Sequence, residues 1–156
     1  MEQTAFNYQT DVAADWVDYN GHMNDAAYAL VFSHAVDAFM DYMGLHEAAR
    51  EAFSYTIFTL ETHICYLLEA HKGEQLDVTV QLIDADAKRL HVFFMMKNRA
   101  GDLVATSEQM LMGIDTAQGK SAPFPPAIAA FIASIAEADQ QLEMPKQVGR
   151  SIGIRR

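Results

Sequence analysis

Asp18-Tyr19-Asn20-Gly21-His22-Met23-Asn24-Asp25 brings an acid, a turn glycine, a histidine and a helix start together in eight residues. Asn20-Gly21 signals a turn, and Asn24 or Asp25 is suited to cap the helix that follows. From Ala26 to Met43 the polar residues are only Ser33, His34, Asp37 and Asp41, tyrosine hydroxyls aside. Ser33, Asp37 and Asp41 recur every fourth residue and make one narrow stripe, so the helix is expected to be buried on most sides. Gly44 is placed to end it. A carboxylate is thereby held beside the positive end of a buried helix. That pairing suits attack on a carbonyl, with the acid as base or nucleophile and helix amides stabilising the oxyanion.

Beyond this helix the period changes. Phe6 to Ala13, upstream, alternates loosely as a short first strand, and Leu45 to Phe53 reads as a short, more exposed helix. In Thr56 to Glu69 the even positions Phe58, Leu60, Ile64, Tyr66 and Leu68 are expected on one strand face. Thr59, Glu61, His63 and Cys65 fall on the other. Leu76, Val78, Val80 and Leu82 alternate with Asp77, Thr79 and Gln81. Leu90, Val92, Phe94 and Met96 line a third strand, and Leu103 to Asp115 forms the last. Short turns favour antiparallel neighbours. Pro123, Pro125 and Pro126 open a terminal helix reaching about residue 142, and Gly149 to Arg156 reads as a loose tail. One buried helix and four long antiparallel strands make an α+β chain whose sheet must curl around the helix. The sheet's other face and an edge strand are then left for a second copy to cover.

The chain has 156 residues, consistent with one domain spanning 1–156 and a core over about 6–120. It carries 11 lysines and arginines against 21 acids, a formal charge of −10, which argues against a nucleic-acid footprint. The lone Cys65 excludes an internal disulfide. Met1 to Thr10 is polar and acidic, so a cytoplasmic setting is the expectation. No apolar run is long enough for a membrane helix.

Asp18, Gly21, His22 and Asn24 match the Asp-x-x-Gly-His-x-Asn pattern of the hotdog-fold acyl-CoA thioesterases of the 4-hydroxybenzoyl-CoA thioesterase type. More narrowly, Asp15 to Asn24, Phe58 to His63, Lys88 to His91 and Ala105 to Met110 resemble the betainyl-CoA thioesterases of carnitine breakdown. One departure is Met112-Gly113-Ile114-Asp115, where a histidine near Gly113 would be expected. The resemblance implies a hotdog fold, a homodimer or homotetramer, and hydrolysis of a short-chain acyl-CoA with no metal or other cofactor. It places the catalytic carboxylate at Asp18 and the oxyanion donor at a main-chain amide near Asp25.

The remaining candidates each carry a plainer reading. Asp18 could instead cap a turn. His22 could orient Asp18, or merely hold the loop's shape, and Asn24 is a helix cap before it is a catalyst. Glu61 and His63 share a strand face and could reach a site or simply be solvated; two ligands alone make a poor metal site. Trp16, Tyr19, Tyr66 and Glu61 are available to cage a trimethylammonium, and aromatics more often just pack. Lys72, Lys88, Arg89, Lys97 and Arg99 lie around strand turns and could meet coenzyme A phosphates. Two rival functions remain: a non-catalytic acyl-CoA sensor, and an acyl-thioester hydratase or dehydratase.

Overall fold

The computed structural model describes residues 6–156; residues 1–5, where the expected domain begins, lie outside the described residues. The elements run β1 (Tyr8–Asp11), a 3-10 turn (Ala14–Trp16), α1 (Asp25–Tyr42), α2 (Glu47–Phe53), β2 (Tyr55–Tyr66), β3 (Gln75–Ala85), β4 (Arg89–Asn98), β5 (Leu103–Asp115), β6 (Lys120–Ser121) and α3 (Pro126–Asp139). One antiparallel sheet has the strand order β1-β3-β4-β5-β2, with the short β6 added to β5. It curls around α1 in the hotdog arrangement that the motif resemblance implies.

Helix α1 starts where Asn24 Oδ1 accepts from the Ala26 N–H at 2.9 Å. It ends at Gly44, whose φ of 89° is a left-handed conformation that costs glycine little. Ala27, Tyr28, Val31, Phe32, Ala35, Val36, Phe39 and Met40 are buried. Their spacing of three and four residues is that of one helix face. They meet the inward face of β3 and β4, where Leu76, Val78, Val80, Leu82, Leu90, Val92, Phe94 and Met96 are all buried. Phe94 lies edge-on to Phe39 at 6.3 Å between ring centroids. Burial of each large side chain stabilises the fold by about 1.5–3 kcal/mol. The opposite face of α1 is open, with Ala29, Leu30, Ser33, Asp37 and Asp41 exposed. Burial on most sides is therefore not what the structure has, because one sheet covers only one side of a cylinder.

Strand β2 also departs from the simple alternation. Thr59 pairs with Leu111 and Glu61 with Met110, so Leu60 is an extra residue, a β-bulge. Before the bulge the odd residues Tyr55 and Ile57 face the core. After it the even residue Ile64 does. Phe58 and Leu60, expected on one face with Ile64, are each 53% exposed.

Strand β3 bulges too, between Leu82 and Asp84. There its edge is covered by α3, which buries Ile128, Ile132, Ile135 and Asp139. Asp139 Oδ2 accepts from the Leu82 N–H at 2.8 Å. This helix ends at Asp139, short of residue 142. The chain then crosses the outer face of the sheet: the Glu143 carbonyl accepts from Gln81 Nε2, and the Gly149 N–H donates to Glu108 Oε1 at 2.8 Å. Phe93, between Gln81 and Glu108 on that face, is buried as a result. The segment expected to be loose is thus anchored at Gly149. Beyond it Ile152 and Ile154 are exposed. No described helix is long and apolar enough to cross a membrane.

Candidate functional site

The loop before α1 is tied on both sides. Gly21 sits at φ 78° and its N–H donates to the Asp18 carbonyl. Asp18 Oδ1 accepts from the Asn20 N–H at 2.8 Å and the His22 N–H at 3.1 Å. The Asp18 N–H returns to the His22 carbonyl, and the Asn24 N–H reaches Trp16 O. On the other side the Met23 N–H donates to Ala70 O and the Lys72 N–H to Gly21 O, while His22 bridges His71. Half of the Asp18 carboxylate therefore shapes the turn. Its other oxygen has no partner among the described residues, and the residue is exposed.

The start of α1 opens onto a cleft of about 290 Å³ lined by Met23, Asp25, Tyr28, Tyr66, Leu67, Leu68 and Glu69. Tyr66 Oη donates to the Asp25 carbonyl at 3.3 Å, and the Tyr28 and Tyr66 rings meet edge to face at 5.2 Å. Tyr28 Oη accepts from the Ala70 N–H at 3.1 Å and donates to Leu68 O. Burial raises both phenols above the ordinary tyrosine range, with the Asp25 charge adding to Tyr66. They remain neutral. The Asn24 side chain and carbonyl take the amides of Ala26 and Ala27, while the Asp25 N–H has no acceptor among the described residues. Such a free first-turn amide is a donor for developing negative charge. Asp25 and Glu69 make the lining acidic, and Glu69 Oε2 lies 3.3 Å from His22 Nε2.

The structure divides the candidate residues. Asp25 and Tyr66 line the cleft at the helix start and Asn24 caps the helix there, while Asp18, Gly21 and His22 shape the loop just before it, with Trp16 packed behind and none of these last four bordering the cleft. Tyr19 is 97% exposed and joins no cluster. Glu61 and His63 lie on the outer sheet face. There, with His91, Glu108, Met110 and Arg150, they border a separate cavity of about 300 Å³. In it His91 Nε2 and Glu108 Oε2 are 2.6 Å apart.

The five basic residues do not form one cluster. Lys88 and Arg89 stand at the start of β4 and Lys97 and Arg99 at its end, and the strand between Arg89 and Lys97 separates the pairs by about 26 Å. Arg89 is moreover held by Asp86, its Nε 2.7 Å from Oδ2, an exposed pair that pulls the carboxyl down to about 2. Lys72, Lys97 and Arg99 share the sheet end that carries the helix start, as the Leu76–Asn98 and Tyr66–Ala105 pairings require.

Tyr28 and Glu69 are cleft residues that the linear pattern did not single out, and His71 stands outside the cleft against His22. Tyr28 could have been found three residues after Asp25, on the same helix face. Glu69 and His71 become visible only through the pairing with His22. At Gly113 a Cβ would fall 1.6 Å from Tyr55 Oη, so position 113 itself has no room for a histidine.

A six-stranded curled sheet around one helix, with an acid loop at that helix's start, is the framework of a thioesterase. The sequence profile of the Thioesterase-like superfamily matches residues 12–132, and the chain belongs to that superfamily. It is 42% identical over 155 residues to the betainyl-CoA thioesterase of Pseudomonas aeruginosa, covering 99% of this chain and 98% of the relative. It is 41% identical to the L-carnitine dehydrogenase/betainyl-CoA thioesterase of Rhizobium meliloti, covering 94% of this chain and 30% of that longer protein. The structure of the hypothetical protein SAV2348 from Staphylococcus aureus in complex with CoA superposes with a TM-score of 0.92 at 36% identity, over 99% of this chain and 98% of that one. The protein is a hydrolase of thioester bonds.

Proposed function

We propose that this enzyme hydrolyses short-chain acyl-CoA thioesters, with betainyl-CoA as its preferred substrate. The observation that carries the reading is the end-to-end match to a betainyl-CoA thioesterase. Water adds to the thioester carbonyl, the C–S bond breaks, and the products are a carboxylate, coenzyme A thiol and a proton. The unpartnered oxygen of Asp18 takes the water's proton or attacks the carbonyl itself. The free Asp25 N–H receives the carbonyl oxygen as it gains charge. No resident metal or other cofactor is needed, because a thioester is already activated.

Tyr66 is the one cage candidate that borders the cleft, and its companions there are Tyr28, Asp25 and Glu69. This lining suits a trimethylammonium: aromatic faces and carboxylates replace the water that the cation gives up. In betainyl-CoA one methylene separates the cation from the carbonyl. A carbonyl at the Asp25 amide therefore brings the ammonium beside the same residues. Lys72, Lys97 and Arg99 are the basic groups on the correct sheet end for the coenzyme A phosphates.

The enzyme works as a homo-oligomer in this reading. Strand β2 is an edge strand that shows exposed Leu60 and Tyr66, and Leu67 and Leu68 just after it are exposed too, a surface that a second copy would cover.

Thiol release tests the proposal, with betainyl-CoA, acetyl-CoA, butyryl-CoA, 4-hydroxybenzoyl-CoA and a long-chain acyl-CoA as substrates. The expected result is the highest kcat/KM for betainyl-CoA. Faster turnover of every other ester would discard the substrate, and binding without turnover of any would favour a sensor.

A further inference from the structure

Beside the cleft, and sharing Glu69 with it, one side-chain cluster among the described residues has the composition and spacing of a metal site. His22, Glu69 and His71 each offer one ligand atom, and these atoms all lie within 4.8 Å of one another. The backbone sets up the convergence. Glu69 and His71 are two residues apart on an extended segment, which turns both side chains to one face. His71 bridges His22 across an antiparallel pairing, which makes the two imidazoles cross-strand neighbours, with centroids 5.1 Å apart. The pairing is held by the Met23 N–H to Ala70 O bond at 2.8 Å and the Lys72 N–H to Gly21 O bond at 3.2 Å.

Tetrahedral zinc with bonds near 2.0–2.2 Å needs ligand atoms about 3.3 Å apart. His22 Nε2 and Glu69 Oε2 already stand at 3.3 Å. The His71 ring is exposed and has its ligand atom within 4.8 Å of both. Two imidazoles and a carboxylate suit a borderline cation, and a water could take the fourth position.

We propose that His22, Glu69 and His71 bind a divalent transition metal, zinc foremost, and that an occupied site suppresses turnover. The route to the active centre is short. The His22 N–H holds Asp18 Oδ1, and Glu69 lines the cleft at the start of α1. A bound dication ties Glu69 to His22, withdraws a carboxylate from the cleft and puts positive charge at its rim. A cationic acyl group is then disfavoured where it was attracted.

Equilibrium dialysis of chelator-treated protein against zinc chloride at neutral pH, with the metal quantified, is the test. Wild type is expected to take up one zinc per chain, and His71→Ala to bind at least about tenfold more weakly. His34→Ala, whose ring lies outside the cluster, is expected to bind as wild type does. Zinc should slow thiol release by wild type reversibly, chelator restoring it, while His71→Ala turns over normally and ignores zinc. No stoichiometric uptake by wild type would overturn the site, and so would equal uptake by folded His71→Ala. Zinc binding that leaves turnover unchanged would overturn the suppression.

Discussion

Asp18 has two oxygens with separable duties, and a pair of substitutions divides them. Oδ1 accepts two main-chain N–H groups of its own loop at 2.8 and 3.1 Å, while the second oxygen has no partner among the described residues. Asp18→Asn keeps an oxygen for both loop bonds and removes the charge and basicity of the other position. Asp18→Ala removes everything. A positioned base is worth about 10²–10⁴ in rate, or about 2.7–5.5 kcal/mol of barrier. Asp18→Asn should therefore lower kcat by that factor with little change in melting temperature. Asp18→Ala should lose as much activity. It should also lose about 1–2 kcal/mol of stability, two exposed hydrogen bonds at the low end of their range, or about 2–8 °C in Tm. Thiol-release kinetics and calorimetry on both variants check this. An Asn variant within tenfold of wild-type kcat would refute the chemical role. An Asn variant as unstable as the alanine would refute the division of labour.

Other outcomes follow from the geometry. Asp139→Ala leaves the buried Leu82 N–H without its acceptor and should cost about 1–3 kcal/mol in denaturant unfolding. Burial raises the Asp139 carboxyl above its usual range. The folded state thus holds that proton more tightly than the unfolded chain does, and stability falls as pH rises from the ordinary carboxyl range to the raised value. Asp139→Asn, which keeps an acceptor for Leu82, should gain on wild type over that rise. The Gly113→Ala methyl would collide with Tyr55 Oη and break the 2.8 Å bond from that hydroxyl to Ala122 O. A loss of about 1–3 kcal/mol, seen as a lowered Tm, is expected. Tyr66→Leu should reduce the preference for betainyl-CoA over butyryl-CoA by roughly 2- to 30-fold, the worth of one aromatic face to a cation. An unchanged ratio would remove Tyr66 from the cage.

Local chemistry made much of the site legible. A cap residue, a turn glycine and an apolar helix leave signatures within a few residues, and the structure has α1 capped by Asn24 and closed by Gly44 as they indicate. The alternation of β4, and of β3 as far as Leu82, was readable because over those residues each strand keeps one face on the helix. The bulge in β2 was not, since an extra leucine at 60 continues an apolar pattern as well as it interrupts one. The outer-face crossing depends on contacts such as Gly149 to Glu108, 41 residues apart, to which periodicity is blind. The same blindness hid the His22, Glu69 and His71 cluster. The basic residues misled for a different reason: nearness to turns says nothing about which end of a strand a turn occupies.

The extra residue at Leu60 makes β2 a strand of two parities. Upstream, odd numbers face α1; downstream, even numbers do, and this sends Tyr66 rather than Cys65 toward the helix start. Deleting Leu60 would leave Thr59 opposite Leu111 and Glu61 opposite Met110, and the two halves would join in one uniform alternation with Ile57, Ile64 and Tyr66 still on the helix side. A residue inserted here without a further bulge would do the reverse and carry every later side chain, Tyr66 included, to the opposite face. The bulge is therefore what absorbs the odd length of this segment: shortening by one residue is expected to be tolerated, and lengthening by one is not.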